Sequence, residues 1–167
     1  MTPLYGWAQI GERVLDYVPH GHWKTTTFLA ALRHDGLTVP MVVDGAINGE
    51  LFLEYVRQQL VPTLRKEDFV VMDNLSSHKV AGVKEAIESV GAKVIYLPPY
   101  SPDFNPIENV FSKLKTMLRK LKLRTVEELW KKLGTLCEIF SPEECKNYFK
   151  NAGYNEKQPS KAMRNTI

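Results

Sequence analysis

The sequence predicts an α/β protein with a mixed sheet and flanking helices. Three patterns carry that prediction. Two apolar, β-branched runs flank the turn signal His34-Asp-Gly36 and read as a β-hairpin. A strand, a helix and a second strand then follow within about 30 residues, the length of a βαβ unit, which makes its two strands parallel. After them come only helical patterns, each opened by a capping signal.

In order, residues 13–18 alternate weakly and suggest a short strand. The hairpin arms are residues 24–33 and 38–43. Pro40 cannot donate to a ladder, so the second arm belongs at a sheet edge. Phe52, Val56, Leu60 and Leu64 recur at helical spacing and predict a helix over 49–64, with Pro62 ending it early. Phe69-Val-Val-Met72 is a continuous apolar run, the pattern of a strand covered on both faces. Residues 80–90 read as a helix, and Gly91 suits the left-handed residue that follows one. Residues 93–97 form the next strand, and Pro98, Pro99 and Pro102 stiffen the chain that leaves it. Asn105 is a good N-cap with Pro106 at the first helical position. The helix it opens is expected to bury Ile107, Val110, Phe111, Leu114, Leu118 and Leu121. Thr125-x-x-Glu128 and Ser141-x-x-Glu144 are capping boxes for two more helices, the last ending at Gly153. This gives one domain over 1–154 and a polar, loose tail over 155–167.

A chain of 167 residues is long enough for one well-buried core. With 44% hydrophobic and 25% charged residues its composition is that of a soluble globular protein. It has no apolar run of membrane-spanning length and no signal-peptide pattern after Met1, so the expected location is cytoplasmic and no membrane partner is expected. Cys137 and Cys145 do not make a zinc site. The net charge of +3 permits nucleic-acid binding without requiring it. Trp23, Trp130 and the tyrosines are expected in the core or at interfaces rather than as base-stacking platforms. His20-Gly-His22 lacks the further ligands a metal pair needs.

The candidate chemistry rests on two acids. Asp73 directly follows the apolar strand, at the carboxyl end where open α/β sheets place their ligands. Glu108 opens a helix 34 residues further on. Each has a structural alternative: Asp73-Asn74 can simply form a turn, and Glu108 can complete the cap begun by Asn105. Carboxylates brought together from separate elements suit a hard, oxygen-preferring cation such as Mg²⁺ or Mn²⁺. Lys115, Arg119 and Lys122 fall on the same helical stripe as Glu108 and would meet phosphates. Asn74, His78 and Asn105 are candidates to support the acids.

Two segments, Met72-Asp-Asn-Leu-Ser-Ser-His78 and Leu97-Pro-Pro-Tyr-Ser-Pro-Asp-Phe-Asn-Pro-Ile-Glu-Asn109, followed by Lys113-Leu-Lys115, resemble the catalytic core of mariner-like bacterial insertion-sequence transposases. Those are enzymes with an acidic triad (DDE) in the ribonuclease H-like superfamily, and the element order here matches the later part of that fold. The resemblance implies that Asp73 and Glu108 are the second and third acids. It also implies two Mg²⁺ or Mn²⁺ ions, transposon-end and target DNA as partners, and self-association or pairing with full-length transposase. The family's first acid lies on a central strand just before the region that Met1 opens, and its N-terminal helix-turn-helix domain lies further upstream. No acid here matches the first position; Asp16 and Asp44 are nearest by order but sit in no matching motif. The chain is therefore expected to be an N-terminally truncated catalytic domain for metal-dependent DNA cleavage and strand transfer. The alternatives are a non-catalytic regulator that binds DNA or full-length transposase, and a structure-selective nuclease.

The same comparison predicts a slot one strand wide between the hairpin and the Asp73 strand. Three things could fill it or follow from it: residues 13–18, a partner's strand, or aggregation through exposed edges. The last two are favoured.

Overall fold

The hairpin forms where its turn signal places it. In the computed structural model, which describes residues 6–15, 25–123 and 125–154 and the backbone of 165 and 166, strand β1 (Thr26–Arg33) pairs antiparallel with β2 (Gly36–Asp44). The register shifts between Leu29 and Ala31, opposite Val39 and Pro40, where Val39 has φ +46. This bulge lets proline sit in a strand, and β2 is indeed at the sheet edge.

Helix α1 (Gly49–Tyr55) is capped by Asn48, whose Oδ1 accepts from Leu51 N at 2.8 Å. The predicted helix over 49–64 does not run as one α-helix. It widens to a π turn at Val56–Leu60 and tightens to a 3₁₀ turn at Val61–Thr63. Pro62 lacks the N–H for the regular bond and its ring crowds the preceding turn, so the spacing changes before it. Strand β3 is Phe69–Met72, as the apolar run predicts. The next helix is shorter than expected: a 3₁₀ turn at Ser76–Lys79 precedes α2 (Val83–Glu88), because Gly82 takes φ +96 and interrupts the helix before Val83. Strand β4 (Lys93–Tyr96) pairs parallel with β3, from Phe69↔Lys93 to Met72↔Tyr96.

Helix α3 (Ile107–Leu121) starts one residue later than expected. Pro106 takes the cap position, and no side-chain cap bond is made. It buries Ile107, Val110, Leu114 and Leu118, half-buries Phe111 and leaves Leu121 exposed, because Leu121 is in the final, fraying turn. Helix α4 (Val126–Cys137) has the full Thr125/Glu128 capping box. Helix α5 (Pro142–Asn151) has only half of one: Ser141 Oγ accepts from Glu144 N, while the Glu144 carboxylate turns to Lys113 Nζ at 2.6 Å.

The sheet order is β2-β1-β5-β3-β4, with β5 formed by Asn165–Thr166. It is mixed, as predicted. β5 lies antiparallel to β1 through Leu32↔Thr166 and parallel to β3 through Val70↔Asn165 and Val71↔Thr166. The position between β1 and β3, where the resemblance predicts a slot, is occupied by β5. The segment expected to be loose fills it, rather than a partner strand. Of the predicted strand over 13–18, residues 13–15 are not in a strand and the remainder lies outside the described residues. The facing edges explain the insertion. Ala30, Ala31 and Leu32 on one side and Val70, Val71 and Met72 on the other are buried. Backbone groups between them are shielded from water and need partners, which an extended segment supplies.

Two apolar clusters cover the sheet. The first joins Leu29, Val70 and Met72 to Phe52, Tyr55, Val83 and Ile87; the second joins Ala30 and Leu32 to Ile107, Val110, Leu114, Leu133 and Phe149.

Candidate active site

Asp73 emerges from β3 directly after buried Met72. The ladder continues one bond past β4, with Leu97 N donating to Met72 O at 2.8 Å, so both chains are held together up to the point where they diverge. Their divergence opens a cleft of about 420 Å³, lined by Asp73, Asn74, Leu75, the chain from Leu97 to Pro102, Asn105 and Glu108. Strand-end Asp73 and helix-borne Glu108 therefore line one cavity.

His78 fixes the Asp73 side. Its ring is buried, stacks on Phe52 with centroids 4.2 Å apart, and brings Nδ1 to 2.5 Å from Asp73 Oδ1. This contact is close but poorly directed: neither atom has a well-aligned hydrogen bond, although both are shielded from water. The His78 carbonyl accepts from Tyr96 Oη at 3.0 Å. Burial, helped by the Glu85 and Glu88 carboxylates, keeps the Tyr96 phenol above its ordinary pKa, so it remains a donor. Gly49 is required beside this turn, since a Cβ there would lie 2.2 Å from Val80 Cγ2.

The other wall is the proline-rich loop. Ser101 Oγ donates to Pro99 O at 3.3 Å, a 3₁₀ turn follows at Pro102–Phe104, and Asn105 N donates to Pro102 O at 2.9 Å. Tyr154 Oη, beyond α5, donates to Phe104 O at 2.6 Å and ties the loop down from outside. Asn105 is buried at the base of the cleft, and its carbonyl accepts from Glu108 N at 3.1 Å. Glu108 sits in the first turn of α3.

The structure brings Asp73, Asn74, Asn105 and Glu108 together, with His78 behind Asp73. It does not bring the basic residues to them. Lys115 borders a separate apolar hollow of about 240 Å³ between Phe28, Phe111 and Leu129. Arg119 lies a further turn along α3. Lys122 is past the helix end with φ +49, so the helical stripe does not reach it. Asp44 is exposed at the end of β2, while Asp16, His20, His22 and Trp23 lie outside the described residues. The stiff chain predicted at Pro98, Pro99 and Pro102 forms the cleft wall.

The donors fit a hard cation in kind: all are oxygens, and the shielded Asp73 Oδ1 lacks a directed hydrogen bond. In number they are incomplete, since no group of three or more His, Cys, Asp or Glu able to hold a metal occurs among the described residues.

The mixed sheet with its flanking helices has the ribonuclease H-like fold. The family model for the DDE superfamily endonuclease matches residues 1–130, and the chain belongs to that family. Similar solved structures include the Mos1 transposase paired-end complex with left transposon end, at TM-score 0.69 and 15% identity over 89% of this chain. The Mos1 Strand Transfer Complex matches at TM-score 0.69 and 17% identity, again over 89%. The chain spans about half of those Mos1 chains, 46% and 45%. The catalytic domain of Mos1 mariner transposase matches at TM-score 0.57 and 15% identity, covering 78% of this chain and 74% of that one. These likenesses are of fold. No curated protein matches in sequence. No helix among the described residues is long and apolar enough to cross a membrane.

Proposed function

We propose that this chain is the larger part of a transposase catalytic domain of bacterial insertion-sequence type, acting in the cytoplasm on transposon-end and target DNA. The observation that carries this reading is the shared cleft of Asp73 and Glu108. Mos1 complexes with Mn and Mg add support for the cofactor. In this reading Asp73 and Glu108 hold Mg²⁺ or Mn²⁺, two ions by family likeness. When bound, such ions stabilise charge on a phosphate and lower the pKa of water. His78 orients the Asp73 carboxylate, and Asn74 and Asn105 line the approach. Lys115, Arg119 and Lys122 take phosphates further along the duplex; Lys115 is about 10 Å from Glu108 along the helix axis at 1.5 Å per residue.

The incomplete ligand set supports a second reading for the chain by itself: a binder of DNA, or of full-length transposase, that does not cut. A strand in the slot would change this. In register with β3, the position two residues beyond that of Thr166 is level with Asp73, and neighbouring side chains at one level share a face. An acid there would complete the set.

The test has two arms. Titration of Mn²⁺ by calorimetry should give a site that Asp73→Asn and Glu108→Gln each remove without lowering the melting temperature. DNA affinity measured against salt should fall steeply, and replacing Lys115, Arg119 and Lys122 by Ala should flatten the slope by about one per lost phosphate contact. Strand cleavage in Mg²⁺ should be absent or very weak for the unaltered chain. Robust nicking abolished by Asp73→Asn would favour a complete nuclease over both readings of the isolated chain.

A further inference from the structure

Tyr100 stands apart from the other described tyrosines. Each of those gives its phenol to the fold: Tyr55 to Val39 O, Tyr96 to His78 O, Tyr148 to Glu144 and Tyr154 to Phe104 O. Tyr100 is fully exposed and so is not one of the tyrosines expected in the core. Its φ is +57, in the left-handed region that a bulky side chain rarely adopts. A strained backbone under an aromatic ring that buries nothing points to something outside the fold.

Its setting narrows what that is. Pro98 and Pro99 precede it, Ser101 is tied back to Pro99, and Pro102 opens the next turn, so the ring is presented by a stiff loop. That loop is one rim of the cleft holding Asp73 and Glu108; Leu75, also largely exposed, stands in the lining with it. An aromatic plane and an apolar side chain beside a phosphate site match a base with its own phosphate. They offer no hydrogen-bonding pattern to select one base over another.

We propose that Tyr100 is a base-stacking residue, its ring taking the face of a nucleobase unpaired from the duplex next to the phosphate at Asp73 and Glu108. The inference rests on the DNA reading above and adds the form of the substrate: a strand with an unstacked base beside the reacting phosphate, rather than a closed duplex. Every base has a π-face, so the preference is for structure and not for sequence.

The experiment compares two DNA probes of equal length in Mg²⁺: a closed duplex, and one with a single-stranded flank carrying 2-aminopurine. The unaltered chain should bind the flanked probe more tightly and quench its fluorescence. Tyr100→Ala should weaken that binding by about tenfold, abolish the quench and leave closed-duplex affinity unchanged. Tyr100→Trp should restore both signals, whereas Tyr100→Leu, with bulk but no π-face, should not. Circular dichroism melts of all variants should match, since the ring buries nothing. Equal quenching in Tyr100→Ala, or restoration by Leu, overturns this inference while the DNA reading stands. Failure of the unaltered chain to bind either probe overturns the DNA reading and this inference together.

Discussion

The two ends of the central slot are built differently. At one end Arg33, the last residue of β1, reaches Asp68, just before β3, at 3.2 Å. Asp68 is fully buried and Arg33 nearly so; Asp68 Oδ2 also accepts from Arg65 N at 3.0 Å, and Arg33 donates to Thr63 O at 3.3 Å. At the other end, where β3 delivers Asp73, no such tie crosses from β1 among the described residues. Among the described residues, three residue pairs through β5 join the two halves of the sheet, whereas β3 and β4 are joined by four pairs and a short crossover. The difference bears directly on the site. Asp73 belongs to the strand that packs into the first apolar cluster, and Glu108 to the helix that packs into the second. The separation of the acids therefore depends on how the two halves of the sheet are joined across the slot.

The largest break in this comparison comes from the closed end. Asp68→Ala leaves the Arg33 guanidinium buried without its counter-charge and frees Arg65 N. Removing one partner of a buried pair costs about 3–5 kcal/mol, a large part of the stability of a domain this size. Urea unfolding should show a much lower midpoint. The double change Arg33→Met with Asp68→Leu should recover most of the loss, because the charge to be compensated is gone. A wild-type midpoint for Asp68→Ala would mean that the ion pair does not close that end.

The next effect comes from the filler. A chain ending after Tyr154 lacks β5, leaving backbone groups of Leu32, Val70 and Val71 unpaired at about 1–3 kcal/mol for each that stays buried. Its unfolding should be broader and its self-association, read by analytical ultracentrifugation, greater. An upstream extension by one apolar strand with an acid level with Asp73 should do the reverse: displace β5, sharpen unfolding and raise Mn²⁺ affinity. If the extended chain keeps β5 in place by hydrogen exchange, the slot is no strand acceptor.

How much of this was legible in the sequence follows from where each cause lies. β3 could be read because a strand covered on both faces is apolar at every position, and Phe69 to Met72 are so. The helix starts could be read because Thr125, Ser141 and their acidic partners act within four residues. The placing of Asp73 at a strand end and of Glu108 at a helix start could be read because both are local signals. β5 could not: Asn165 and Thr166 carry no strand pattern, and their pairing is decided by unmet backbone groups on strands far away in the chain. The contact of His78 with Phe52 likewise depends on α1 docking beside the Ser76–Lys79 turn. That Lys122 falls one residue past α3 could not be read, because periodicity cannot say where a helix stops.

The smallest effect lies at the junction of α3 and α5, in the second cluster, and concerns pH. Burial alone would raise the Glu144 carboxyl, but the hydrogen bonds from Lys113 and Tyr148 and the Lys113 charge outweigh it and hold it below the ordinary value of 4.5. A folded pKa below the unfolded one gives stability that is complete above the ordinary carboxylate range and lost as pH falls through it. Tyr148 shows the opposite sign: burial, then its bond to Glu144, raises its phenol above the ordinary 10.0, so its contribution is complete below that pH and lost above it. Both partners of the Lys113–Glu144 bridge are partly exposed, which limits the effect to about 0.5–1 kcal/mol. Lys113→Met keeps the stem that lies over the Phe140 ring while removing the charge. It should therefore lower stability slightly at neutral pH and reduce the loss seen on acidification from about pH 5 to 3. Because Lys113 lies beyond the first turn of α3, where Glu108 sits, Mn²⁺ affinity in the same variant should not change. A fall in metal affinity matching the fall in stability would show instead that the Glu108 position depends on the α3–α5 contact as much as on the slot.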